Sequence, residues 1–500
     1  MLKTIQFLLT ALTLLFICNT LGICADTPKN GFAVLYPILR TYESQPELEK
    51  EYCEKLGINY PIKTTRKPLM AFREYDSKHF SGSNPENEQE SYQRLAQWYK
   101  EYEYVFDVVR EALACPEFQI VKQPASQKPL NLNEMFFSSG DSKGNLFEDL
   151  YKLRDFLIAR ATVLTEEKKY DEAFDTLMLM NRLGTVVKNQ VYGDGDMRPR
   201  LVGSTIKAST WRFHSDLFRA DSLSAAWYRG RIKTLSNNAE NSVFSGMSLE
   251  MLKALYFQSL EEGRNNPHTK DNLFFFERLK RRMSKDTEGL IPADEPDERE
   301  KTVDEWFPKV DWDELKQLFV PWLEQAAEAE KLPTYIERCN AYKKIESDKE
   351  AFAGKYTSPK NSTPTELAAS VIFPQLLSSQ AGWNEIFTRT EIFEKIQPIQ
   401  YAIAAYHAEH KKWPESLADV ICEELPELPN DPFSAGKPFG YRKFDGGCVV
   451  YSVGENGTLD GDGEKFQFCM GLPPNTSFWR PDVDDIGFFQ TDADFSADPQ

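Results

Sequence analysis

Histidine is scarce in this 500-residue chain: five occur, at His79, His214, His268, His407 and His410. The sequence holds no G-x-S-x-G elbow, no P-loop and no dinucleotide-type glycine fingerprint. It therefore lacks the familiar motifs that set a nucleophile or a phosphate at a strand–helix turn. Cysteine is also sparse. Of eight residues, two fall within the first 25, and the others are Cys53, Cys115, Cys339, Cys422, Cys448 and Cys469. No C-x-x-C pair exists among them, which argues against a zinc knuckle or a thioredoxin-type centre. Basic residues are outnumbered, 59 against 77 acids, for a net charge of −18. That balance disfavours nucleic acid and anionic membrane surfaces as partners. After the N-terminal leader no run approaches the roughly 20 apolar residues of a spanning helix, so no transmembrane segment is expected in the mature chain.

What is present begins with a secretory pattern. Lys3 supplies a positive n-region, Ile5–Ile17 a short apolar stretch, and Ile23-Cys24-Ala25 a cleavage site before Asp26. Residues 1–25 are thus expected to be a signal peptide, and the protein to be exported to the periplasm or beyond. A cell-envelope protein is the expected partner. Aromatics make up 13% of the chain, ample for real cores. An oxidising compartment permits disulfides. One bridge among Cys422, Cys448 and Cys469 and a set of buried free thiols both remain open.

Apolar spacing of three and four predicts helices through most of the chain. Glu88–Ala114 reads as one helix ended by Cys115-Pro116. Leu146–Leu164 and Tyr170–Val187 read as a pair, followed by helices near 198–217, 221–237, 247–263, 273–284, 312–329 and 333–347. The charged, Pro-containing stretch 285–310 reads as an exposed loop. Glu385–Lys411 reads as a long helix kinked or broken near Pro398. The expected organisation is a helical domain over 26–350, a linker with a short helix over 351–382, an α+β domain over 383–490 and a tail over 491–500. Within the helical domain, ARATVLTEEKKYDEAFDTLMLMNRLG resembles one helix-turn-helix unit of the tetratricopeptide kind, with the small Ala173 permitting close helix approach. One unit is too few for a solenoid.

The C-terminal fifth carries the clearest pattern. A helix ends at Trp413-Pro414, and a Pro-Asn-Asp-Pro-Phe turn follows a short second helix. Strands at Phe439–Lys443 and Cys448–Val453 then lead into VGENGTLDGDGEK. Asp460, Asp462 and Glu464 stand at i, i+2, i+4 in this glycine-rich loop, and calcium takes six to eight oxygens from such flexible carboxylate loops. Asp482, Asp484 and Asp485 form a second acidic cluster. This order over roughly 385–490 resembles the globular half of the major pseudopilin of type II secretion systems. Ser452-Val453-Gly454 matches that family's strand end, and Asp484-Asp485-Ile486 its later acidic pair. The apolar periodicity predicts a mainly α chain with an irregular, TPR-like N-terminal region, and the resemblance implies that a small pseudopilin-like α+β domain follows it, a long helix plus a short antiparallel sheet. It also implies calcium held by Asp460, Asp462, Asp484 and Asp485. The family's N-terminal prepilin site and apolar helix are absent. The whole arrangement looks like large exported proteins of planctomycete-type bacteria, from which no activity transfers.

Two smaller constellations are weaker. His407 and His410 share a helix face around Glu409, but lack an HExxH order and a third ligand. Asp194-Gly195-Asp196 reads as a helix-capping turn. The leading expectation is a non-enzymatic exported scaffold. Its alternatives are an accessory part of a secretion or pilus-like machine, and a hydrolase with converging acids or His214 in a groove of the helical region.

Overall fold

The computed structural model describes residues 30–40, 43–79, 88–121, 146–190, 198–218, 223–240, 249–265, 298–356, 360–377, 379–434, 436–459, 468–470 and 486–491. They divide into two compact units. One takes Met1–Pro124 and Lys143–Arg160, the other Ala125–Ser142 and Ala161–Gln500. The fold is mainly α with a small sheet. Among the described residues no helix is long and apolar enough to cross a membrane.

The first unit holds α1 (Gly31–Leu39), α2 (Pro46–Leu56), α3 (Phe72–His79), α4 (Glu88–Glu101) and α5 (Tyr104–Ala114), with α6 (Leu146–Glu166) contributing up to Arg160. Asn30 caps α1: its side chain accepts from Phe32 N at 3.0 Å and exchanges two bonds with the Gln119 backbone. A methyl at Gly31 would lie 2.0 Å from the Ala112 carbonyl, so only glycine lets α1 lie this close to α5. Aromatics fill the interior. Tyr36 packs on Tyr52 at 4.9 Å, and Trp98 on Phe156 at 6.0 Å. The single helix expected over 88–114 is two. Tyr102 N, Val105 N and Phe106 N bond back three residues, to Tyr99, Tyr102 and Glu103. These tighter turns let Tyr102 and Val105 both face inward.

The second unit is built around one helix. Its elements are α7 (Tyr170–Lys188), α8 (Arg198–Phe218), α9 (Ala225–Glu240), α10 (Leu249–Asn265), α11 (Trp312–Glu330), α12 (Tyr335–Lys355), α13 (Pro364–Leu377) and α14 (Ser379–His410). Every residue of α14 from Ile396 to Ala405 is buried. The stretch IQPIQYAIAA is almost apolar all round, the pattern of a helix enclosed on every side. No break occurs at Pro398, where a kink or break was expected: the helix runs on to His410. The missing N–H forfeits one bond, to the Glu394 carbonyl, and the helix continues through the buried stretch around it. Helix α14 also joins two cores. Phe387 belongs to one with α10, α11 and α13, where Phe319 meets Phe373 at 4.6 Å. Ile392 to Ala405 belong to the other, with α7, α8, α9 and the sheet.

That continuity bears on the expected segmentation. Positions 350 and 383 fall inside α12 and α14, and Trp211, Tyr335 and Phe174 share a core with Ile396, Phe433 and Phe488. The expected loop over 285–310 is structured from 298 onward as short helical turns, because Trp306 is drawn into the α10–α11–α13 core. Expected helix 273–284 lies outside the described residues.

After α14 the chain turns through a 3₁₀ segment, Leu417–Val420, into β1 (Gly440–Phe444) and β2 (Gly447–Ser452), joined by Asp445-Gly446 with Gly446 at φ +78°. With β3 (Phe468–Met470) and β4 (Ile486–Thr491) they form a sheet in the order β1-β2-β4-β3. β1, β2 and β4 pair antiparallel; β3 joins β4 in parallel, an addition to the antiparallel sheet expected. Among the described residues Cys422 and Cys448 form no disulfide, nor do Cys53, Cys115 and Cys339. Strand β4 separates Cys448 of β2 from Cys469 of β3.

Two glycines in helices give opposite expectations. A methyl at Gly203 would sit 2.3 Å from Lys188 N, whereas one at Gly230 meets nothing within 4 Å. Gly203→Ala should force α7 and α8 apart and cost about 1–3 kcal/mol. Gly230→Ala should stabilise by about 0.4–1 kcal/mol. Urea unfolding of the two variants checks both signs.

Candidate functional site

The four candidate calcium ligands, Asp460, Asp462, Asp484 and Asp485, lie outside the described residues, as does Asp194-Gly195-Asp196. The ground from which the acidic stretches leave is described. Asp431, from the Pro-Asn-Asp-Pro-Phe turn, is buried at its centre. It accepts from Phe433 N at 3.0 Å, Ser452 Oγ at 2.9 Å and Val453 N at 3.0 Å. Burial pushes the Asp431 carboxyl up, and these donors oppose that shift. The turn is thereby tied to the end of β2. Just beyond, Arg389 of α14 pairs with both Glu385 and Glu455. Asn456 Oδ1 accepts from Thr458 N at 2.8 Å. Gly457, at φ +69°, lies where a methyl would strike Ile336. In the sheet register Ser452 faces Ile486, so the residue that leads into the first acidic stretch pairs with the residue that follows the second.

His407 and His410 are engaged in packing at the end of α14. His407 stacks on Trp413 at 4.1 Å and His410 tilts against Tyr406 at 4.3 Å. Glu409 between them pairs with Arg229. Among the described residues no group of three or more His, Cys, Asp or Glu side chains is placed to hold a metal.

A second polar constellation runs along α14, where sequence reasoning placed none. Glu394 and Lys207 of α8 form an ion pair, their side chains 3% and 1% exposed. Helix α8 reaches this depth because a methyl at Gly184 of α7 would lie 2.5 Å from Lys207 Cγ. Lys188, at the end of α7, faces the same carboxylate. Burial pushes the Glu394 carboxyl up, against the pull of Lys207 and Lys188. It pushes the Lys188 ammonium down, against the attraction of Glu394. One helical turn further, Gln397 Nε2 lies 3.4 Å from Thr210 Oγ1. Beyond it Gln400 Oε1 accepts from Trp211 Nε1 at 3.3 Å, and its carbonyl accepts from Gln490 Nε2 of β4 at 2.9 Å. Polar residues at 394, 397 and 400 recur every three positions in EIFEKIQPIQYAIAA. That spacing, running into the apolar stretch after Lys395, was the signal that could have revealed the seam.

His214 closes the seam. It is fully buried, with Nδ1 2.9 Å from the Tyr401 hydroxyl and its ring edge-on to Phe174 and Tyr401. Burial alone lowers its pKa from 6.5 to about 3, so the imidazole is neutral in the native core. It is a packed core histidine, and a solvent-facing base would need a different setting.

No family model, curated protein or solved structure matches the chain.

The seam generates two predictions. Glu394→Gln leaves Lys207 and Lys188 buried without their carboxylate and should cost about 3–5 kcal/mol, whereas Lys207→Met/Glu394→Met should cost clearly less, with Lys188 alone losing its counter-charge. Chemical denaturation of the two variants separates these outcomes. His214 sets the second. The unfolded chain takes up a proton below pH 6.5 that the native core refuses down to about 3. Stability should therefore fall as pH drops through that window, by up to about 1.4 kcal/mol per unit. Replacing it by His214→Phe should flatten this part of the stability–pH profile relative to the parent.

Proposed function

We propose that the protein is an exported, non-enzymatic scaffold whose C-terminal end is a pseudopilin-like module steadied by calcium. The observation that carries this reading is the sheet register pairing Ser452 with Ile486. It sets side by side the described ends from which the two acidic stretches run, as a loop closing over one cation requires. The helix, turn and hairpin order of the pseudopilin resemblance supports it, with α14 leading through Leu417–Val420 to the β1–β2 hairpin. Asp431 and Arg389 support it too, by holding the loop's root to the turn and to α14. Asp460, Asp462, Asp484 and Asp485 supply the ligands. Calcium offsets their mutual repulsion and fixes the loop against the sheet.

The helical region is read as an interaction body, with the α6–α7 stretch its TPR-like element and a cell-envelope protein as the partner. An accessory role in a type II secretion or pilus-like machine is the second reading, favoured by the same helix–turn–hairpin order. The burial of α14 sets the two apart. A filament subunit packs through its long helix, and here that helix is occupied from Ile396 to Ala405.

Because one core spans α14 and α7–α9, the test uses the full chain. Thermal unfolding in calcium and then in excess chelator should show a higher midpoint with calcium. The gain should vanish in Asp484→Ala/Asp485→Ala and shrink in Asp460→Ala/Asp462→Ala. An unchanged midpoint in the parent would remove calcium from the reading. Stoichiometric co-assembly with a purified major pseudopilin would replace the scaffold by the secretion reading.

A further inference from the structure

We propose that the cleft between α1, α5 and the loop 58–66 of the first unit is a binding site for a small apolar carboxylic acid. The cleft measures about 570 Å³, within the range that encloses small organic ligands. Its apolar lining comes from Val34 and Ile38 of α1, Val108 of α5 and Ile62 of the loop. Its basic lining is Lys63 and Arg66, both solvent-exposed. In a chain with 77 acids and 59 bases, two bases here line a hollow of mixed apolar and polar character. They suit an anionic head group, while the lining suits a hydrocarbon body. The Arg66 guanidinium lies 5.9 Å from the Tyr104 ring centroid, which steadies its plane. A planar guanidinium fork matches a carboxylate.

Glu111 also lines the cleft. It bars a second negative charge, so a monocarboxylate fits better than a dicarboxylate. The walls are held before any ligand arrives. Leu69 N donates to the Ile38 carbonyl at 2.7 Å, fixing the chain after the loop to α1. Arg40 grips Glu49 of α2 with two 3.1 Å bonds. The Gly31–Ala112 approach sets the spacing of α1 and α5. A preformed hollow spares the ligand the cost of ordering it. This site is independent of the C-terminal reading.

The test compares 4-methylpentanoate with 3-methylbutylamine, which share one hydrocarbon body and differ in head-group charge. Ligand-observed NMR on the full chain should show the acid binding and the amine failing to bind. Lys63→Glu/Arg66→Glu, on exposed positions, should weaken the acid about tenfold or more and admit the amine. Val34→Trp should fill the hollow and abolish binding of the acid. Equal binding of acid and amine, indifference to the charge reversal, or no binding of the acid by the folded parent would each overturn the proposal.

Discussion

The second unit depends on the complete burial of one helix. Residues Ile396 to Ala405 have no solvent face, so α14 must find partners on every side. It finds α8 and α9 among the helices and β2 in the sheet. Enclosing a helix in this way yields hydrophobic free energy along its whole circumference. It also tolerates Pro398, since the lost backbone bond is one term against many contacts. The same enclosure makes the sheet part of the helical core. Trp211 of α8 lies 5.5 Å from Phe488 of β4, and Phe393 of α14 packs on the same ring at 5.7 Å.

Enclosure carries a cost at the polar positions of that helix. Glu394, Gln397 and Gln400 cannot reach water, so α8 and β4 meet part of their needs through Lys207, Thr210, Trp211 and Gln490, while Gln400 Nε2 stays buried without a hydrogen bond among the described residues. An ion pair at this depth adds little net stability, because desolvation consumes most of the Coulomb gain. Its effect is on uniqueness. Sliding α8 along α14 by one turn would part Lys207 from Glu394 and Trp211 from Gln400, leaving each group buried without its partner. The glycines at 184 and 203 work with the seam, since they set the depth at which Lys207 arrives. Close approach of helices and polar matching thus select the same register.

Legibility in the sequence followed the strength of the local signal. Helices with a clean three-four stripe stand within a few residues of expectation: α7 covers Tyr170–Lys188 against 170–187, and α11 covers Trp312–Glu330 against 312–329. The β1–β2 hairpin was readable because Asp-Gly marks its turn. Misreadings arose where tertiary packing decides. Nothing local in Tyr102-Glu103 announces the turn that separates α4 from α5. Pro398 reads as a breaker only until the burial around it is known. Trp306 sits in a charged stretch that reads as loop, and a core elsewhere in the chain claims it. The seam was missed for a related reason. Lys207 and Glu394 lie 187 positions apart, and each alone looks like an ordinary surface charge. Asp431 was passed over as a turn former, although its carboxylate is the anchor of the C-terminal loop.

The enclosure of α14 also limits what the helix can offer to another molecule. A helix that packs against neighbouring subunits must keep an apolar face available to them. Here that face is spent within the chain, and the first core claims the helix even at Phe387. At its far end Glu409 and His410 are exposed and the chain turns at Trp413. The tie from Arg389 to Glu455 carries the rigidity of the helix to the root of the C-terminal loop. Packing around Ile396–Ala405 therefore bears on how firmly Glu455 and the chain leaving β2 are held.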